Sequence, residues 1–175
     1  MTKPFAYIGL VNPKSPENVG MVMRAAGCYE ASKVFYTGVR FDRARQFFTD
    51  TKNMHEKIPL QHAEDLLITV PEGAKIVAVE LVEGATPLIN FQHPEQAYYI
   101  FGPEDGSLTQ TVLDACDHVV YIPTIGCMNL AATVNVVFYD RLAKSVGTAI
   151  EDRPVTENRD TNSRAVVVKK SNDTI

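Results

Sequence analysis

The stretch PENVGMVMR, residues 16–24, combines anion-binding residue types with a helical spacing. Its polar members include Asn18 and Arg24, with Gly20 between them. A helix places Arg24 about a turn and a half beyond Asn18, among Met, Val and Ala residues. A guanidinium in such company either reaches into solvent or meets an anionic partner such as phosphate. The spacing N-x-G-x-x-x-R has little specificity alone, so its meaning depends on the loops that accompany it.

Two further segments combine glycine, proline and polar side chains. They are FGPEDGSL at residues 101–108 and IPTIGCMNL at residues 122–130. The first contains the carboxylate Glu104, and the second contains Asn129 at the start of a helical pattern. Glycine allows a ligand to approach the backbone closely. Because ligands of open α/β sheets bind at the carboxyl ends of the strands, the three loops together predict one shared site.

The elements around these loops predict an α/β fold with a mostly parallel sheet flanked by helices, because short apolar runs alternate with helical periods. The predicted strands are residues 5–11, 33–38, 75–81, 97–102 and 118–123. The predicted helices are residues 18–31, 62–70, 108–116 and 128–146, and residues 39–61 are expected to form a loop and a short helix. Each of the three polar loops therefore follows a predicted strand.

The length of 175 residues suits one domain with a single sizeable core. We assign residues 1–150 to that domain and residues 151–175 to a polar tail without a long apolar period. No apolar run approaches the roughly 20 residues that span a bilayer. The three cysteines have no C-x-x-C spacing, which favours a reduced, cytoplasmic compartment.

Positive charge is concentrated at the two ends of an acidic protein whose net charge is −4. Residues 1–60 contain nine Lys or Arg and five Asp or Glu, whereas residues 61–152 contain three and thirteen. This asymmetry hints at a polyanion-binding face in the first third, although an ordinary solvated surface is an equal alternative.

Several familiar sites are absent from the sequence. There is no G-x-G-x-x-G after the first strand and no G-x-x-x-x-G-K-[ST], which argues against a dinucleotide-binding Rossmann site or a P-loop. There is no G-x-S-x-G elbow for a nucleophilic serine. The four histidines are scattered and form no H-E-x-x-H, so no metal site is expected.

The three loops, in this order, resemble the motifs of the SpoU branch of the SPOUT RNA methyltransferases. The resemblance runs from about residue 5 to 146. In that family the first motif is N-x-G-x-x-x-R, the second is G-P-E-x-x-G-L, and the third runs from I-P to S-L-N or S-M-N. They are matched here by Asn18, Gly20 and Arg24; by Gly102, Pro103, Glu104, Gly106 and Leu108; and by Ile122, Pro123, Cys127, Met128 and Asn129. Cys127 stands where serine is usual, and the stretch before it is about three residues shorter than in the family.

The resemblance implies transfer of a methyl group from S-adenosyl-L-methionine to a ribose 2′-hydroxyl of RNA. It also implies a homodimer and a C-terminal deep trefoil knot, which general topology rules would exclude. The expected cofactor-binding residues, acting mainly through backbone groups, are Glu80, Leu81, Gly102, Ile122, Cys127 and Leu130. Without the resemblance, packing at a strand end would explain Glu80 and Leu81 equally well.

The resemblance implies catalytic roles for Arg24, Asn18, Glu104 and Asn129. Arg24 is expected to hold the ribose phosphate and to stabilise charge that develops on the attacking oxygen. The family is thought to use this arginine to help deprotonate the hydroxyl, but arginine stays protonated, so we favour positioning. Asn18 and Asn129 are each expected either to bind RNA or to cap a helix. Glu104 is expected to orient Arg24 or to order its own loop.

The same family reading makes RNA the partner, with tRNA favoured over ribosomal RNA, and expects neither a membrane nor a metal. The expected RNA contacts are Arg40, Arg43 and Arg45, with stacking or packing roles for Phe41, Phe47 and Phe48. Two other functions stay open at this point: a knotted dimeric protein that binds RNA without methylating it, and a small-molecule enzyme with another nucleotide cofactor. Intact Asn18, Arg24, Glu104 and Asn129 argue against the first, and the missing glycine-rich fingerprint argues against the second.

Overall fold

The computed structural model describes residues 4–45 and 58–145, and for Arg45 it describes the backbone alone. Within these ranges the chain forms one parallel sheet with helices on both faces. The strands are β1 (Phe5–Leu10), β2 (Lys33–Tyr36), β3 (Leu60–His62), β4 (Lys75–Val79), β5 (Thr86–Pro87), β6 (Gln96–Phe101) and β7 (His118–Tyr121). The helices are α1 (Pro16–Cys28), α2 (Arg40–Arg45), α3 (Gln110–Asp114) and α4 (Leu130–Ser145), with short 3₁₀ turns at Leu67–Thr69 and Leu88–Asn90.

The strand order β3-β2-β1-β6-β4-β7-β5 brings the polar loops to one edge of the sheet. Phe101 of β6 lies between Leu10 of β1 and Val79 of β4, and Val79 is in register with Val120 of β7. The carboxyl ends of these four central strands are therefore level with one another. The segments that follow them leave side by side, as the crevice rule for open α/β sheets requires.

The sheet is buried on both faces, which explains why its strands read as continuous apolar runs. Residues 97–101 of β6 are all at most 1% exposed. Helices α1 and α4 pack against each other and cover one face. The other face is covered by Leu66 and Leu108, together with partly buried residues of α3 such as Val112.

Helix α1 begins two residues earlier than predicted. Ser15 caps it, since the Ser15 hydroxyl accepts a hydrogen bond from the Asn18 amide at 3.2 Å, and Pro16 occupies the first turn, where it displaces no hydrogen bond. The helix ends at Cys28 rather than at residue 31. The side chain of Asn18 is thus not needed for the cap.

The helix predicted over residues 62–70 is wrong. Residues 60–62 form the edge strand β3, and only Leu67–Thr69 make a 3₁₀ turn. The Asp65 carboxylate accepts a hydrogen bond from the Leu67 amide at 2.9 Å, a local bond that competes with the helical pattern. Pro71 favours an extended residue before it, and Val70 is extended with ψ 122°.

The other predicted elements are present, with shorter bounds except for β6, which has the predicted length and begins one residue earlier. The sequence did not indicate β3 or β5, which have only three and two residues. No helix in the described ranges is long and apolar enough to cross a membrane. The boundary at residue 150, the tail at 151–175 and the aromatic residues Phe47 and Phe48 lie outside the described residues.

Candidate active site

A cleft of about 200 Å³ opens at the carboxyl edge of the sheet. Its walls come from the segments that follow β4, β6 and β7 and from the first turns of α4. Apolar side chains of Val79, Phe101 and Leu130 contribute to the lining. All six residues predicted to bind the cofactor line it: Glu80, Leu81, Gly102, Ile122, Cys127 and Leu130.

Glu80 orders the cleft through its carboxylate. One oxygen accepts a hydrogen bond from the Leu108 amide at 2.8 Å and the other from the Leu81 amide at 3.0 Å. A Cβ at Gly102 would lie 3.1 Å from the first oxygen, so glycine leaves room for this arrangement. Because its carboxylate accepts hydrogen bonds from the Leu81 and Leu108 backbone amides, Glu80 connects the loop after β4 to the loop after β6.

A hydrogen-bonded bridge joins the three predicted motifs beside this cleft. The Asn18 side chain donates from Nδ2 to Glu104 Oε1 at 3.1 Å and accepts at Oδ1 from Asn129 Nδ2 at 2.8 Å. These contacts link residues 86 and 111 positions apart in the chain. Asn18 is 8% exposed and is the buried polar residue of the described ranges. We call this arrangement the Glu104–Asn18–Asn129 bridge.

Glu104 also fixes the loop that leads into α1. Its carboxylate accepts hydrogen bonds from the Lys14 amide at 2.8 Å and the Ser15 amide at 3.1 Å. Partial burial raises the pKa of this carboxyl, but the hydrogen bonds from Asn18, Lys14 and Ser15 outweigh it and leave the pKa below its usual value. Glu104 is therefore held as a carboxylate, and it orders loops.

Asn129 caps a helix, one of the two roles that the sequence left open for it. Its Oδ1 accepts a hydrogen bond from the Ala131 amide at 2.8 Å, which caps the start of α4. Its Nδ2 donates to Asn18 at the same time. The cap therefore sets the orientation of the amide that enters the bridge.

Arg24 lies apart from the bridge. It is exposed on α1 and is not among the residues that line the cleft. Within residues 4–45 and 58–145, no hydrogen bond or ion pair engages its guanidinium, and Glu104 does not orient it. Arg24 is thus free to meet an anion from outside the chain.

The predicted RNA-binding arginines lie on α2. Both guanidinium nitrogens of Arg40 donate to the Asp105 carboxylate at 2.8 Å. The hydrogen bond from Arg40, opposed by slight desolvation, lowers the pKa of Asp105. Arg43 is exposed, whereas the side chain of Arg45 lies outside the described residues. Phe41 is 5% exposed and packs edge-on against Tyr36, so it is a packing residue in this fold.

The third loop is short and internally bonded. Thr124 donates from its hydroxyl to the Gly126 carbonyl at 2.7 Å and from its amide to the Ile122 carbonyl at 2.9 Å. Cys127 follows this turn, exposed on the cleft wall. The turn brings Cys127 to the cleft.

Sequence reasoning missed Lys14 and Ser15, whose amides hold Glu104, and Asp105, which holds Arg40. The signal for the first pair was the Asn12-Pro13 turn before α1. The described residues contain no cluster of three or more His, Cys, Asp or Glu that could hold a metal ion.

The fold and cleft define a class of protein: a parallel α/β domain with a cleft at the carboxyl edge of the sheet, lined by the second and third motif loops and bordered by the first. The model of the SpoU rRNA Methylase family matches residues 6–139. The chain therefore belongs to the SpoU methylase family. No curated protein matches it by sequence.

Solved structures with the same fold carry related descriptions. The SpoU methyltransferase AviRb from Streptomyces viridochromogenes, in complex with AdoMet, has a TM-score of 0.71 at 18% identity, covering 84% of this chain and 60% of that one. The TrmH/SpoU tRNA modifying enzyme of A. aeolicus has a TM-score of 0.69 at 14% identity, with coverages of 81% and 76%.

A third structure concerns the 2-OH methylation of C/U34 on tRNA. It has a TM-score of 0.68 at 23% identity, and the match covers 84% of this chain and 94% of that one. At these identities the likeness establishes the fold. This chain spans only about 60% of the length of AviRb.

Proposed function

We propose that this protein transfers a methyl group from S-adenosyl-L-methionine to a ribose 2′-hydroxyl of RNA, with tRNA favoured over ribosomal RNA. The observation that carries the proposal is the Glu104–Asn18–Asn129 bridge, which unites the three motif loops beside the cleft. Membership of the SpoU family supports it. The preference for tRNA is supported by the structural neighbour of similar length that concerns tRNA.

The cleft suits S-adenosyl-L-methionine in its chemistry. Val79, Phe101 and Leu130 offer apolar walls for a base, and the loops offer backbone groups for the polar parts. When bound, this cofactor supplies a methyl group on a sulfonium centre. The chain's own contribution is to keep the loops in place, through Glu80 on one side and Glu104 on the other.

We assign the two asparagines to positioning of the ribose and Glu104 to the support of Asn18. Arg24 binds the phosphate next to the reacting ribose and stabilises charge on the attacking oxygen. Its exposure and lack of a partner in the described residues suit a group that meets RNA. The C-terminal deep trefoil knot belongs to the same proposal, since α4 starts directly from the third loop of the cleft.

We further propose that the protein acts as a homodimer through an outer face of α4. This helix buries Leu130, Val134 and Val137 against the sheet, yet Val136 and Tyr139 are 37% and 64% exposed. Apolar side chains left exposed together on a helix mark an interaction surface. A second copy packed on this face would cover it.

For RNA contact we propose Arg43 and Arg45 of α2, with Arg40 considered in the next subsection. Arg43 is exposed, and within the described residues its side chain has no acidic partner. If such an arginine contacts a phosphate, its removal should reduce the slope of log K against log salt concentration by about one unit.

The test is transfer of a labelled methyl group from S-adenosyl-L-methionine to size-separated tRNA and ribosomal RNA, followed by nucleoside mass spectrometry. A 2′-O-methylated nucleoside in the tRNA fraction is the expected result. Methylation of a base would refute the reaction, and methylation confined to ribosomal RNA would refute the substrate preference. RNA binding without transfer would instead identify a knotted RNA-binding protein.

The role of Arg24 has its own test. Arg24→Ala should abolish methyl transfer while leaving the Kd for S-adenosylhomocysteine nearly unchanged, because Arg24 does not line the cleft. Arg43→Ala is the matched control, since it removes another exposed arginine and should weaken RNA binding only. Equal loss of transfer and of cofactor binding would make Arg24 a structural residue.

A further inference from the structure

Asp105 and Arg40 form a fork-to-fork ion pair over the second motif loop. The two guanidinium nitrogens lie 2.8 Å from the two carboxylate oxygens, and the residues are 65 positions apart in the chain. The Lys14 ammonium lies 3.7 Å from the same carboxylate. Bidentate geometry of this kind fixes the orientation of a planar group as well as its distance.

The α2 end of this pair rests on a well-anchored turn. Gly38 has φ +74°, and a Cβ there would lie 2.2 Å from the Asn12 side chain, so only glycine fits. The Asn12 amide donates to the Thr37 hydroxyl at 3.2 Å. Phe41 is buried in the first turn of α2. The position of Arg40 is thus fixed against the loop that leads into α1.

The other end of the pair lies in a loop with few attachments. Residues 104–107 are all exposed, and the loop at residues 102–108 contains two glycines, Gly102 and Gly106. Its side-chain anchors among the described residues are Glu80 on the Leu108 amide, the contacts of Glu104, and Asp105 on Arg40 and, at 3.7 Å, on Lys14. Asp105 is the residue next to Glu104, so holding Asp105 limits the movement of the Glu104 carboxylate.

We infer that Arg40 is a positioning residue for the motif loop at residues 102–108, acting through Asp105 on Glu104, rather than a contact for RNA phosphate. The expected change in kcat rests on the proposed function, whereas the anchoring of the loop by Arg40 does not. Arg40 keeps Glu104 in place, Glu104 keeps Asn18 in place, and Asn18 positions Asn129. An exposed ion pair contributes modestly, so the expected effects are about twofold to fivefold.

The two roles predict opposite results for the partner Asp105. If Arg40 positions the loop, Arg40→Ala and Asp105→Ala should each lower kcat about twofold to fivefold without raising the KM for RNA. The double variant should lose no more than either single variant, because both remove the same contact. If Arg40 instead binds phosphate, Arg40→Ala should raise the KM for RNA. Asp105→Ala should then lower the KM for RNA, because it frees the Arg40 guanidinium.

The experiment combines these kinetics with amide hydrogen exchange at Lys14 and Ser15, whose amides donate to Glu104. Arg40→Ala and the near-isosteric Asp105→Asn should each speed this exchange about twofold to fivefold. Arg43→Ala, on the same helix, should leave exchange unchanged and raise the KM for RNA.

Exchange that is unaltered in Arg40→Ala, together with a raised KM for RNA, would overturn the inference. A charge reversal, Arg40→Asp combined with Asp105→Arg, should restore exchange and kcat towards wild type. If the wild-type protein methylates no RNA, the proposed function fails, yet the exchange measurement still decides whether Arg40 holds the loop.

Discussion

Replacement of Asn18 by aspartate tests the central bridge at a single atom. Asn18→Asp keeps the oxygen that accepts from Asn129 but replaces the Nδ2 donor with a second carboxylate oxygen, 3.1 Å from Glu104. The donor to Glu104 is lost and two carboxylates then face each other at a site that is 8% exposed. We expect the variant to fold but to be clearly less stable at neutral pH.

The magnitude follows from the lost contact. A hydrogen bond to a charged group contributes about 1.5–3 kcal/mol to the free energy of unfolding. For a chain of this size that corresponds to a drop in Tm of about 3–12 °C. Repulsion between the carboxylates adds to the loss and raises the pKa of at least one of them.

The pH dependence has a definite sign. In the wild-type protein the pKa of Glu104 is lowered, so its contribution to stability is present above the unfolded pKa and is lost as pH falls through the folded pKa. In the variant, the raised pKa of a carboxyl group destabilises the fold only at pH values where that group is ionised in the unfolded chain. The difference in Tm between the two proteins should therefore be largest near pH 7 and shrink below about pH 4.

The assay is thermal unfolding followed by circular dichroism between about pH 3 and pH 7.5. Asn90→Asp is the control, because Asn90 is exposed and its substitution adds the same negative charge away from the site. A Tm for Asn18→Asp within 1 °C or so of that control at pH 7, or a difference independent of pH, would refute the reasoning that the bridge supports the fold.

Three further outcomes are expected. Gly20→Ala should raise the free energy of unfolding in urea by about 0.5–1 kcal/mol, because Gly20 is inside α1 and a Cβ there meets nothing within 4 Å; a loss of stability would contradict this. Glu80→Gln should weaken binding of S-adenosylhomocysteine by about tenfold in calorimetry, since the Leu108 amide loses a charged acceptor; unchanged affinity would show that this contact does not shape the cleft. Burial raises the pKa of Tyr98 and of Tyr99 to about 12, so their contribution to stability is complete below about pH 10 and falls as pH rises towards 12; denaturant titrations should show this fall, and Tyr98→Phe should reduce it.

The central strands could be predicted because they rest on local information. Buried parallel strands are continuous apolar runs, so β6 is visible in the sequence as AYYIF. The cleft residues were implied by the resemblance to the SpoU motifs, and the carboxyl-edge rule explains why the loops that carry them meet. All six of them line one cleft because the order β1-β6-β4-β7 places their loops side by side.

The remaining features depend on contacts that have no local signal. β3 and β5 are strands only because β2 and β7 offer free edges, and two or three residues cannot display a period. The segment HAEDLLITV has a helical pattern, but Leu66 is buried against the sheet and Asp65 bonds the backbone instead. The pairing of Arg40 with Asp105 joins α2 to the loop after β6, and neither segment contains a local signal that predicts the other as its partner.

The spacing of Asn18 and Arg24 has a consequence that the motif alone does not reveal. Six residues correspond to a rotation of about 600°, so the two side chains point about 120° apart around α1. Asn18 accordingly turns inward to Glu104 and Asn129, while Arg24 turns outward. A residue at the next helical turn from Asn18, such as Val22, would face the core, where it is fully buried. The motif therefore serves two surfaces with one helix: it ties the cleft loops together on the inside and presents a cation on the outside. Under the proposed function, RNA would have to reach both the cleft edge and the outer face of α1, and that requirement favours a large, structured RNA over a short single strand.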